Sequence, residues 1–311
     1  HRRQNVDIGP KNPRKEDFMF KVGILGSENS HALAFAQLAN LPDPATGEYR
    51  YPDMRITAIC GCDDTPEHAA ETAQRGHIEK LVSDPMELVG EVDAIMIDYR
   101  DGKFHIRDVM PFIEKGLPVW IDKPITASKE DRDTLRRALE AHETLFTGGS
   151  SFPYNYEVIT AKNAVKNKAM GEVLGGSVNF PGDFSSPYSG IFFYGPHLVT
   201  IVMEVFGYDL RAVSVQKVSP QNAAISFRYD DKIVTGHLNG CPDHCITVFG
   251  SKSVYRKDID MSFLYALELD AFVQMLRDKK MPLPFDELFR HVDVLDAIRR
   301  SDEQNGAEIP V

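Results

Sequence analysis

Cysteine is scarce: the 311-residue chain has four, at positions 60, 62, 241 and 245. That is too few for a disulfide scaffold, and a reducing cytoplasm fits such usage best. Neither Cys60-Gly61-Cys62 nor Cys241-Pro242-Asp243-His244-Cys245 has the Cys-x-x-Cys spacing of zinc sites, so no metal is expected. Positive charge is also short, with 35 Lys and Arg against 46 Asp and Glu and a net charge of −11. A nucleic-acid or anionic-membrane surface would need a basic patch, so neither partner is expected. Long apolar runs are missing too, none approaching the ~18–20 residues of a membrane span. Residues 1–18 are polar, without the apolar core of a signal peptide, and read as an N-terminal extension.

What is present is ordinary for a globular protein, 42% hydrophobic and 26% charged, and the length suggests two domains. From residue 19 to 149 short apolar runs at 20–25, 54–60, 92–98, 117–121 and 145–147 alternate with helical patterns. That rhythm predicts a parallel sheet covered on both faces. From 150 to 311 the pattern changes. Strand-like runs at 172–180, 211–218, 223–229, 232–238 and 245–249 alternate in polarity, Asp230-Asp231 reads as a hairpin turn, and helices are expected near 154–167, 197–205, 263–279 and 285–303. This predicts an antiparallel sheet with an open face. The chain therefore reads as an α/β domain of the dinucleotide-binding type followed by an α+β domain.

In an open α/β sheet, ligands bind outside the carboxyl ends of the strands. The first run breaks at Gly26, and a polar turn, Ser27-Glu28-Asn29-Ser30-His31, leads into a helical pattern. Strand, glycine turn and helix make a phosphate site, because a helix N-terminus offers free amides. The fingerprint G-x-G-x-x-G keeps only its first glycine here, and Glu28 stands where bare backbone normally meets the pyrophosphate. A carboxylate about 5 Å from a phosphate charge costs on the order of 3 kcal/mol at an effective dielectric of about 20. Asp63 ends the second strand, where an acid accepts from a ribose hydroxyl or caps the next helix. Asp101 and Asp122-Lys123-Pro124 follow later strands. A lysine held at a strand tip can donate a proton or orient a carbinol oxygen. His105 and His197 each open a helix and are further acid–base candidates.

Together these residues resemble the Gfo/Idh/MocA family, the relatives of glucose–fructose oxidoreductase and inositol dehydrogenase. Asp122-Lys123-Pro124 is similar to the family's E-K-P, His105 falls at the histidine of T-P-N-x-x-H, and Gly195-Pro196-His197 matches the end of D-x-G-x-H. The resemblance covers residues 19–311 and implies a Rossmann-type domain (19–149) followed by an α+β domain with an open, mostly antiparallel sheet (150–311). It implies NAD or NADP, with NAD favoured by Asp63, bound by Gly26, Ser27, Glu28, Asn29, Ser30, His31, Asp63, Asp101, Asp122, Lys123 and Pro124. It also implies acid–base roles for Lys123, His197 and His105, with Tyr194 beside Lys123 and His197 at the substrate. The chain departs from the family at two acids: the catalytic aspartate four residues before His197 is Phe193, and an acid often found three residues after it is Thr200. Glu204 or Tyr194 is then expected to partner His197.

The reading is an NAD(P)-dependent oxidoreductase of a sugar-like or polyol substrate. Two alternatives keep the fold and change the chemistry: a carbohydrate-binding or regulatory protein with weakened cofactor binding, or an acid–base enzyme of the lyase or epimerase type. Val213, Val215, Ile225 and Phe227 on the second sheet suggest a homodimer or homotetramer formed through its open face.

Overall fold

The computed structural model of the chain describes residues 20–311; the expected extension at 1–18 lies outside them. Two compact units divide at Asp98 and Tyr99.

In the first unit, β1 (Phe20–Leu25) is buried at every position but Lys21, as an apolar run with both faces covered should be. It is followed by α1 (Ser30–Asn40), β2 (Met54–Cys60), α2 (Pro66–Arg75), β3 (Lys80–Val82) and β4 (Ala94–Ile97). Between β3 and β4, Pro85–Leu88 form a single 3-10 turn. β1 pairs in parallel with β2 on one side and β4 on the other, and β2 pairs in parallel with β3. Asn40 ties this unit together from the last position of α1. Its amide group donates to the carbonyls of Ile56 and Gly76 at 2.8 and 2.9 Å and accepts from the Ile56 N–H at 3.0 Å. One buried side chain thus satisfies backbone groups of β2 and of the turn that ends α2.

The second unit opens with α3 (His105–Glu114), β5 (Val119–Asp122), α4 (Lys129–Ala141) and β6 (Phe146–Gly149). The parallel sheet has the strand order β3-β2-β1-β4-β5-β6, which is the doubly wound arrangement. Then follow α5 (Tyr156–Lys166), β7 (Val173–Pro181), α6 (Ile191–Phe206), β8 (Ala212–Ser219), β9 (Asn222–Arg228), β10 (Ile233–Asn239), β11 (Cys245–Gly250), β12 (Val254–Asp258), α7 (Leu264–Asp278), α8 (Phe285–Glu303) and β13 (Ile309–Pro310). The second sheet has the order β12-β11-β7-β10-β9-β8-β13 and is antiparallel except where β7 meets β10. β12 escapes the sequence pattern because Val254-Tyr255-Arg256-Lys257-Asp258 is an edge strand with little to bury.

The apolar face of this sheet is not the open one. Val213, Val215, Ile225 and Phe227 are all buried in one core with Val178, Val234 and residues of α6 and α8. α6 packs on β7 and β10, and α8 on β8. Each such side chain contributes roughly 1.5–3 kcal/mol by leaving water. The other face carries half-buried Ser177, Ser214, Ser226, Thr235, His237 and Thr247. The expectation of an oligomer built on those four apolar residues therefore loses its ground: alternation reveals two faces but not which one the helices cover. No helix among the described residues is long and apolar enough to cross a membrane.

Candidate active site

In the first unit, the turn after β1 closes on the end of β2. The Gly26 N–H donates to the Cys60 carbonyl at 2.9 Å, and the Ser27 N–H donates to Asp63 Oδ1 at 2.9 Å. The Ser27 hydroxyl donates to Asp64 Oδ2 at 2.9 Å. Asn29 caps α1, accepting from the His31 N–H at 3.3 Å, while Ser30 and His31 form its first turn. The cap of α2 is Thr65, which accepts from the His68 N–H. That removes the capping role from Asp63 and leaves it to the loop.

Asp63 Oδ2 is buried, and no described residue bonds to it. Burial pushes the Asp63 carboxyl up from its ordinary value, against backbone donation from Ser27, from Asp63 itself and from Glu28. An acceptor oxygen shielded from water and lacking a donor is what a ribose hydroxyl would complete. Glu28 is half-buried, and its amide is drawn to Asp63 rather than presented bare. His31 Nδ1 lies 4.0 Å from Asp98 Oδ1.

In the second unit, β5 delivers Asp122 and Lys123 together, and the Lys123 N–H donates to Asp122 Oδ1 at 2.6 Å. Lys123 is 7% exposed. Its Nζ donates to the Phe193 carbonyl at 3.3 Å and lies 4.1 Å from the centre of the Phe193 ring and 5.8 Å from that of Tyr194. A ring face so placed attracts an ammonium by roughly 0.5–2 kcal/mol. Phe193 stands one turn before His197 on α6, so a single turn of helix carries both the anchor of Lys123 and the second acid–base candidate. The Lys123–Pro124 peptide is cis. Gly102 lies so near Pro124 that a Cβ there would come within 2.4 Å of the proline ring, which is why the preceding turn needs glycine.

His197 Nδ1 is 2.9 Å from Ser150 Oγ. Its ring meets Phe152 at 5.3 Å and 75°, and Phe180 at 5.4 Å and 42°. Glu204, expected as its partner, instead binds Lys162 Nζ at 2.8 Å and the Tyr208 hydroxyl. Tyr194 belongs to the Lys123 side. Ser150 gave no sequence signal, since its partner is 47 residues away.

One expectation fails on geometry. His105 is fully buried, with Nε2 2.8 Å from the Tyr99 carbonyl and Nδ1 3.3 Å from that of Ile125. Burial holds its imidazole below the ordinary value, so it is a structural histidine and not an acid–base group. Asp101 ties its own turn to the loop before α6. Its carboxylate accepts from the Ser189 hydroxyl at 2.5 Å and lies 2.9 Å from Lys103 Nζ. Burial opposes its charge, but these bonds outweigh burial and hold the carboxyl below its ordinary value.

Residues 20–149 match the oxidoreductase family Gfo/Idh/MocA, whose domain is an NAD-binding Rossmann fold. The match lies in these residues, which form the domain of the first sheet. Among solved structures, the chain is similar to a myo-inositol dehydrogenase from Corynebacterium glutamicum, at 16% identity and TM-score 0.77, covering 94% of this chain and 99% of that one. It is similar to scyllo-inositol dehydrogenase from Lactobacillus casei with bound NAD(H) and scyllo-inositol, at 14% identity and TM-score 0.77 over 93% and 99%. A third likeness is to GenD2 from gentamicin A biosynthesis in complex with NAD, at 15% identity and TM-score 0.79 over 94% and 97%. At such identities these structures establish the fold. No curated protein matches the sequence.

Proposed function

We propose that the protein is an NAD-dependent oxidoreductase of a secondary alcohol on a cyclitol or sugar-like ring. The observation that carries this reading is the Lys123 ammonium, nearly buried at the end of β5 and held by the Phe193 carbonyl and ring. A lysine is seldom so buried without a task. When bound, the nicotinamide exchanges a hydride with the carbinol carbon.

The chain's own residues do the rest. Asp63 Oδ2 accepts from an adenosine ribose hydroxyl, and its charge disfavours a 2′-phosphate, so NAD is preferred to NADP. The N-terminus of α1 faces the pyrophosphate. Lys123 holds the proton that passes to or from the substrate oxygen, and the Phe193 contacts fix its Nζ in place. Phe193 and Tyr194 exclude water beside it. His197 binds the same oxygen or its neighbour.

The test is turnover of a panel of cyclitols and sugars with NAD and NADP, followed as reduced nicotinamide. Lys123→Met should lower kcat by about 10²–10⁴-fold while NADH still binds. Turnover that survives this change would overturn the assignment of Lys123. A second reading, a sugar-binding protein that has given up redox chemistry, draws on Glu28 in the glycine slot. It expects Glu28→Gly to raise NADH affinity sharply, and an unchanged affinity counts against it.

A further inference from the structure

The carboxylate expected four residues before His197 is a phenylalanine, yet His197 is not left to orient itself. Two successive glycines with positive φ, Gly148 at +135° and Gly149 at +78°, turn the chain off β6. A Cβ on Gly148 would sit 1.9 Å from the Ile121 carbonyl oxygen, so only glycine permits that turn. It delivers Ser150, which is 5% exposed, with Oγ 2.9 Å from His197 Nδ1. The Phe152 N–H donates to the same Oγ at 3.4 Å. The rings of Phe152 and Phe180 hold the imidazole from two further elements.

A hydroxyl has one proton to give and two lone pairs. The Phe152 amide takes one lone pair, and among the described residues the Ser150 hydroxyl meets no acceptor but Nδ1, so its proton is directed there. A neutral imidazole that accepts at Nδ1 carries its own proton on Nε2. A carboxylate at Nδ1 selects the opposite tautomer, with Nδ1–H donating and Nε2 a base. We propose that Ser150 is the positioning residue of His197 and fixes it as the Nε2–H tautomer, so that His197 holds a substrate oxygen as a hydrogen-bond donor and leaves proton exchange to Lys123. The part about substrate rests on the proposed function; the tautomer does not.

The experiment is long-range proton–nitrogen NMR on the full chain with ¹⁵N-labelled histidine, His197 being assigned by the signals lost in His197→Gln. The expected result is an Nε2–H tautomer in the wild type. In Ser150→Ala that preference should fall by about fivefold, the worth of one net hydrogen bond, and Ser150→Thr, which keeps the hydroxyl, should restore it. An Nδ1–H tautomer in the wild type overturns the proposal, whether or not the variants fold. So does an unchanged tautomer population in Ser150→Ala. Failure of every substrate to turn over would sink the proposed function and leave the tautomer result standing.

Discussion

Replacing Glu268 by Gln should make the protein progressively more heat-stable, relative to wild type, as pH rises. Glu268 lies on α7, is 4% exposed, and makes no hydrogen bond or ion pair with a described residue. The groups that act on it are Asp122 and Lys123 at the end of β5, and Tyr154 before α5 feels it in turn. Burial pushes its carboxyl well above the ordinary value and Asp122 adds to the rise, while Lys123 opposes it. The native state therefore keeps a proton that the unfolded chain releases above about pH 4.3. The stability this group confers is complete below that point and is lost as pH rises toward the native value. The slope over that window is at most about 1.4 kcal/mol per pH unit. Gln has the same shape and no proton to lose, so the variant lacks the slope. At roughly 2–4 °C per kcal/mol for a unit of this size, the Tm difference should open by about 3–6 °C per pH unit. Parallel thermal unfolding by circular dichroism from pH 5 to 8 measures it. A Tm difference that stays flat with pH would refute the argument, since the carboxyl would then be ionised in the folded protein.

Three further outcomes follow from the same geometry. His105→Ala removes the partner of the buried Tyr99 carbonyl and leaves a cavity, so it should cost about 2–4 kcal/mol in denaturant melts while turnover per folded molecule is kept. Asp63→Ala removes a charged acceptor worth about 1.5–3 kcal/mol, so NADH affinity by fluorescence titration should weaken roughly tenfold to a hundredfold. Asn40→Leu strands the Ile56 N–H and the Ile56 and Gly76 carbonyls and should cost about 2–4 kcal/mol, read from urea unfolding.

Much of the fold was legible because its signals are local. The run 20–25 is apolar at nearly every position, which only a strand buried on both faces requires, and Gly26 marks its end. Thr65, directly before Pro66, caps α2, a role that the sequence had been read to offer Asp63. The family resemblance supplied Lys123 and His197, but not how either is held. The Phe193 carbonyl under Lys123 and the Ser150 hydroxyl under His197 are joined to them across 70 and 47 residues, and no spacing rule spans such gaps. Glu268 was readable in principle. It falls with Leu264 and Phe272 on the buried stripe of α7, and an acid on such a stripe signals a carboxyl kept neutral or in use. The open sheet misled because Val213 and Phe227 look alike whether helices or a second subunit cover them.

Trp120, the single tryptophan, is buried on β5 two residues before Asp122, and its emission overlaps the absorption of reduced nicotinamide. Titration of the protein with NADH and NADPH, followed by quenching of Trp120, tests the central claim most directly. The account predicts saturable NADH binding below millimolar, with NADPH weaker because Asp63 repels its extra phosphate. Failure of both to bind at millimolar concentration would contradict it.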